Sequence, residues 1–134
     1  MDPNNFLEDI APFCPNYTKA IEIIGKRWTG AIIRCMLAGA TRFSEILGLI
    51  PSLSDRLLSE RLKELEAEGI VSRRVLPSTP VRVEYRLTEK GMALASVVTA
   101  VGAWADRWVA MPESRPESAP APGARAARRL RAEA

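Results

Sequence analysis

The sequence predicts a mainly α chain with one small β-hairpin, an α+β fold. Three observations carry that prediction. Apolar residues recur at three- and four-residue spacing in several separate stretches. Strict alternation of apolar and charged residues runs from Val81 to Leu87, after a Pro-Ser-Thr-Pro turn, and a looser two-faced pattern runs from Val71 to Leu76 before it. Glycine, proline and serine fall at the joints between these stretches, where caps and turns need them. The 134 residues suggest one compact domain, and the apolar fraction of 47% is enough for a core without disulfides or metal.

The elements follow in order. Residues 1–11 read as an N-terminal arm. Pro15 suits the first turn of a helix, because its missing N–H would be unpaired there. Tyr17, Ile21 and Ile24 then recur at helical spacing, which predicts a helix over 15–25. A second helix is expected over 28–38: Trp28, Ala31, Ile32, Cys35 and Met36 form one stripe, Ile33 and Leu37 a second, and Gly39 ends it. Residues 41–43 are extended and suit a short edge strand. Phe43, Ile46, Leu47 and Ile50 make the apolar side of a third, short helix, stopped by Pro51. Ser52 and Ser54 are both candidate caps for the next helix, with Ser54 the better placed. That helix carries Leu58, Leu62 and Leu65 on one face, and Asp55, Arg56, Ser59, Glu60 and Lys63 on the other. Gly69 supplies its left-handed stop. Two helices joined by a tight turn make a helix-turn-helix.

The hairpin comes next. Val71, Arg73 and Val75 share one face of a strand, and Val81, Val83, Tyr85 and Leu87 share one face of its partner. Thr88 is positioned to cap a last long helix over 89–110, with Val98, Val101, Ala105 and Trp108 on one stripe and Trp104 beside it. Such a helix is about 30 Å long, more than one small core covers, so part of it is expected to pack on a second copy. From residue 111 the chain turns Pro-, Ala- and Arg-rich, a composition that favours a disordered tail. Its end is basic, through Arg125, Arg128, Arg129 and Arg131, and reads either as a solvated tail or as a loose phosphate-contacting arm. The domain is therefore expected over 12–110, between an arm and a tail.

Composition excludes several function classes. The chain has no histidine, which removes the commonest general base, the Ser-His and Cys-His pairs and most zinc sites. Cys14 and Cys35 lack metal-ligand spacing, and no phosphate-binding loop is present. We expect no enzyme, no metal and no cofactor. The N-terminal residues carry acids and no apolar core, so no signal peptide is expected, and the longest uncharged run, over 91–105, falls short of the roughly 20 residues a membrane helix needs. A cytoplasmic location follows. The formal net charge of +3 is only a weak pointer to an acidic partner, so the placement of the arginines has to carry that argument.

The order of elements is that of a winged helix-turn-helix with a long terminal dimerisation helix. Cys14-Pro15 is followed by IGKRWTGAII, TRFSEI, SDRLLSERLKELEAEGIV and TPVRVEYRLTEKG, in that order. This string resembles the HxlR-type family of bacterial transcriptional regulators over about 13–110. A lone helix-turn-helix pattern is unspecific, whereas four segments in sequence are not. The family commonly carries glycine where this chain has Lys26 and Ser52. The resemblance implies a homodimer joined through its first and last helices, and binding to double-stranded operator DNA.

On that footing the polar face of the fourth helix becomes a set of groove probes. An α-helix with side chains is about 10–12 Å across and fits a major groove about 12 Å wide. Arg56 suits two bonds to guanine, Ser59 donates or accepts, and Lys63 suits phosphate. Asp55 contributes by pairing with a neighbouring cation or by accepting from cytosine. Arg42, Ser44 and Ser54 flank the turn, and Arg74 and Arg82 are the wing candidates for backbone or minor groove. Arg86 is expected to pair with Glu84 or with an acid of the fourth helix, and Arg61 to brace the inner side of that helix. The dimer interface is expected from Phe13, Tyr17, Ile21, Val98, Val101, Trp104, Ala105 and Trp108. Cys14 lies at a helix N-terminus, and some family members sense oxidants or electrophiles with a cysteine there. It therefore reads as a thiol sensor or as interface packing, while Cys35 reads as core packing. Two alternatives stand beside the thiol-sensing regulator. One is a regulator gated by a small aromatic effector held near the tryptophans. The other is a dimeric protein-interaction module without DNA affinity.

Overall fold

The computed structural model describes residues 10–109. The expected arm therefore lies almost wholly, and the expected tail entirely, outside the described residues. Six helical segments and a two-stranded antiparallel sheet follow one another: α1 (Pro15–Ile24), α2 (Thr29–Leu37), α3 (Phe43–Leu49), α4 (Asp55–Ala67), β1 (Val71–Leu76), β2 (Arg82–Leu87), α5 (Glu89–Met92) and α6 (Ala95–Trp108).

The caps explain most boundaries. The Ser54 hydroxyl accepts from Leu57 N at 3.1 Å, which satisfies one of the free donors at the start of α4. Gly69 ends α4 at φ 74°, the left-handed conformation a side chain disfavours. Thr88 accepts from Gly91 N at 3.1 Å and so starts α5. The same hydroxyl donates to Gly69 O, and Lys90 Nζ donates to Glu68 O at 2.6 Å, so the end of the hairpin is tied to the end of α4. Two turns use the left-handed region without glycine. Ser52 has φ 70°, at one of the positions where the resemblance expects glycine. At the other turn the left-handed residue is Trp28, at φ 75°, not Lys26.

The core lies between α2, α3, α4 and the base of the hairpin. Ile32, Ile33, Ile46, Leu58, Leu62, Leu65 and Val71 are buried in it, so the periodic stripes of three helices meet at one point. β1 pairs with β2 from Val71↔Leu87 to Leu76↔Arg82.

Two expectations are corrected. Residues 41–43 form no strand. Tyr85 N donates to Thr41 O at 2.7 Å, but Phe43 already opens α3, so the chain has no length left for a ladder. The last helix is broken in two at Ala93–Leu94. Gly91 is buried against the Ile70 carbonyl, where a Cβ would collide, and this fixes α5 on the hairpin. α6 instead packs on α2, and one straight helix cannot satisfy both directions. At 14 residues α6 is about 21 Å long. No described helix is long and apolar enough to cross a membrane.

Candidate nucleic-acid interface

α3, the turn through Pro51 and α4 present one continuous polar surface. Arg56 stands at its outer end, its side chain 90% exposed and 3.3 Å from Glu60 one turn along. Lys63 is exposed and forms no ion pair among the described residues. Asp55 sits in the first turn, where its charge complements the helix dipole. Ser54 accepts from Leu57 N, so its hydroxyl keeps its proton and one lone pair for an outside group. Arg42 precedes α3 and lies 3.7 Å from Glu45, and Ser44 is exposed beside it. Arg61 points the other way. Its Nε donates to Arg27 O at 2.9 Å and its Nη1 to Glu64 at 3.0 Å, which clamps α4 to the α1–α2 turn as a brace.

The wing has two faces with different neighbours. Arg73↔Tyr85 is a register pair on the side of Val71 and Leu87, which faces the core and α4. Ser59 and Lys63 of α4 meet Arg73 and Tyr85 in a cleft of about 250 Å³, with Glu66 also on its wall. Arg74 and Arg82 lie on the opposite face, with Glu84 and Arg86. Arg86 Nε donates to Glu84 at 3.3 Å, as expected. The structure thus brings Arg73 and Tyr85, which are not among the site residues expected from the sequence, beside α4, and places Arg74 and Arg82 on the opposite face of the hairpin. The signal was available in the alternation, which puts Arg73 in phase with buried Val71. What the sequence did not show was which face α4 lies against.

This surface suits a polyanion. Lys63, Arg73, Arg74 and Arg82 form no ion pair among the described residues. The exposed pairs of Arg56 and Arg42 are worth about 0–1 kcal/mol each, so exchanging them for phosphate or a base edge costs little. Replacing Arg56 with alanine is expected to cost about 1–3 kcal/mol on the preferred sequence and to relax base preference. Lys63→Ala or Arg73→Ala should weaken all sequences alike and flatten the salt slope. Competition shift assays at several salt concentrations check this, and an unchanged preference in Arg56→Ala would remove it from base readout.

A helix-turn-helix, a two-stranded wing and a cationic face between them define a winged helix-turn-helix transcriptional regulator. The profile of HxlR-like helix-turn-helix proteins matches residues 23–113, and the chain belongs to that family. It is 53% identical over 96 residues to the HTH-type transcriptional regulator YvaP of Bacillus subtilis (strain 168), covering 72% of this chain and 89% of that one. It is 52% identical over 95 residues to the HTH-type transcriptional regulator YodB of the same organism, covering 71% and 85%. Reduced YodB superposes with a TM-score of 0.65 at 50% identity, over 72% of this chain and 95% of that one. YodB has also been solved diamide-treated and quinone-bound. The oxidised form of the redox regulator HypR superposes with a TM-score of 0.67 at 37% identity, over 73% and 100%.

Proposed function

We propose that the protein is a cytoplasmic homodimer that binds double-stranded operator DNA sequence-specifically and responds to oxidants or electrophiles through Cys14. The observation that carries the DNA reading is the juxtaposition of Ser59, Lys63 and Arg73 in one cleft beside an exposed Arg56. A shift assay on genomic fragments across a salt series tests it. Sequence-selective, salt-sensitive complexes support the regulator, and salt-insensitive or absent complexes leave the protein-interaction module.

Dimerisation is supported by apolar surface that the chain does not cover itself. α1 and α6 contain no buried residue. Phe13, Tyr17, Ile21, Val101, Trp104 and Trp108 are all exposed, most of them above 60%. Val98, also expected in this interface, packs against the core, and Val101 and Ala105 both border the space between α6 and α2. Two-fold pairing through the exposed faces would carry two copies of α4, and successive major grooves need them about 34 Å apart.

The two thiols differ in setting. Cys14 is exposed at the N-cap of α1, and its side chain makes no cap bond. Cys35 is half-buried, and burial pushes its thiol pKa up despite the nearby Arg34, so it carries less of the nucleophilic thiolate. YodB, the relative solved in diamide-treated and quinone-bound forms, supports a thiol response. A route from Cys14 to DNA also exists. Lys19 of α1 lies 3.9 Å from Glu68 at the C-cap of α4, and Lys26 of the α1–α2 turn lies 3.3 Å from Glu64 of α4. Displacing α1 therefore disturbs the helix that reads the groove as well as the dimer face.

Cys14→Ser is expected to bind DNA as the unmodified protein does and to lose the response to diamide or a quinone. Mass spectrometry at neutral pH should find Cys14 alkylated faster than Cys35. Identical DNA release by the two proteins after oxidant would make Cys14 a packing residue.

A further inference from the structure

A half-open pocket of the described fold lies away from the cleft between α4 and the wing. This cavity of about 370 Å³ lies between α2 and α6. Its volume falls in the range of small-molecule sites, about 300–1,000 Å³. Ile33, Leu94 and Val98 form apolar walls, and the small side chains at Ala31 and Gly102 leave the space open. Arg34 is the charged residue on its lining. A Cβ built at Gly102 would lie 3.3 Å from Arg34 Nη1, so the guanidinium rests against the backbone of α6 beside the apolar space. Arg34 forms no ion pair or side-chain hydrogen bond among the described residues.

An arginine without a carboxylate partner, at the side of an apolar cavity, selects for one kind of occupant. The planar guanidinium offers paired N–H donors that match a carboxylate, and the walls offer nothing to a polar body. We propose that this cavity binds a small apolar carboxylic acid, with its ring or chain between α2 and α6 and its carboxylate on Arg34. Its consequence rests on the regulator reading. α6 carries the exposed Val101, Trp104 and Trp108, so an occupant that moves α6 on α2 changes the angle at which a second copy docks, and with it the spacing of the two α4 helices. The binding itself needs neither DNA nor a thiol.

Isothermal titration of the full chain with 2-naphthoate, and in parallel with the uncharged 2-naphthamide, tests this. The acid should bind saturably at one site per chain, and the amide at least about tenfold more weakly, the loss of one charge-assisted contact. Arg34→Gln, a change at an exposed position, should bring the acid down to the level of the amide and leave the amide unchanged. Ala31→Leu should abolish both while melting near the wild-type temperature. Equal affinities for acid and amide in the wild type would overturn the proposal, as would acid binding that Arg34→Gln leaves intact. No binding of either probe, together with an Ala31→Leu protein that falls from dimer to monomer, would place a side chain of a second copy in the cavity and equally overturn it. Operator shift assays without added acid are independent of these titrations, so failure here does not touch the DNA reading.

Discussion

Trp104→Glu should convert the proposed homodimer to monomer and lower operator affinity by roughly 10²–10⁴-fold. Trp104 is 61% exposed in the isolated chain. A tryptophan buries about 150–250 Å² when covered, so docking a second copy on it removes on the order of 100 Å² of apolar surface from water. At ~25 cal/mol per Å² this contributes about 2.5 kcal/mol. A two-fold interface uses every contact twice, so the loss doubles. Introducing a carboxylate adds the cost of desolvating a charge without a partner. The DNA effect is larger than the loss of one contact because dimerisation makes the second half-site binding event intramolecular. Multi-angle light scattering and a shift assay on the same preparation check both parts. A well-folded wild-type monomer at micromolar concentration would sink the dimer, and a Trp104→Glu dimer of normal size would move the interface elsewhere.

Leu58→Ala should destabilise the fold by about 2–5 kcal/mol, because it deletes a fully buried side chain and leaves a cavity that the helices cannot close. Leu58 has 0% exposure and shares the core with Ile32 and Ile46, so it is the point where α4 is seated on the rest of the domain. A domain of this size has about 5–15 kcal/mol in total, so the melting temperature should fall by roughly 10 °C or more. Leu57, half-buried on the same helix, should cost less when truncated. Urea denaturation at one fixed protein concentration measures both. A Leu58→Ala protein with the wild-type midpoint would mean that α4 is not held by this core.

Comparison of residues with their final places shows where reading along the chain succeeds. The Ser54 cap, the Gly69 stop, the Thr88 cap and the Glu84–Arg86 pair are all interactions within a few residues, and each was legible. Arg61 as a brace was legible too, because its position on the inner side of α4 follows from helical period alone. The wing was legible only in part. Period-2 alternation separates Arg73 from Arg74 without saying which face meets α4, so the place of Arg73 beside Ser59 and Lys63 is set by the tertiary structure. The terminal helix failed for a related reason. Residues 89–110 read as one helix because propensity and period are local, but Gly91 is held by Ile70 and α6 by α2, and those partners lie elsewhere in the chain.

The sequence by itself determined the kinds of elements, their order, their ends and the family, since these depend on periodicity, capping chemistry and a run of matched segments. Only the tertiary structure decided that Val98 turns inward while Trp104 and Trp108 stay out, that Arg73 joins Ser59 and Lys63, and that Arg34 stands beside an apolar cavity. The physical reason is that a helix or strand specifies its own faces through a fixed period, whereas the side a face turns toward is set by packing with elements distant in the chain, and no local rule encodes that choice.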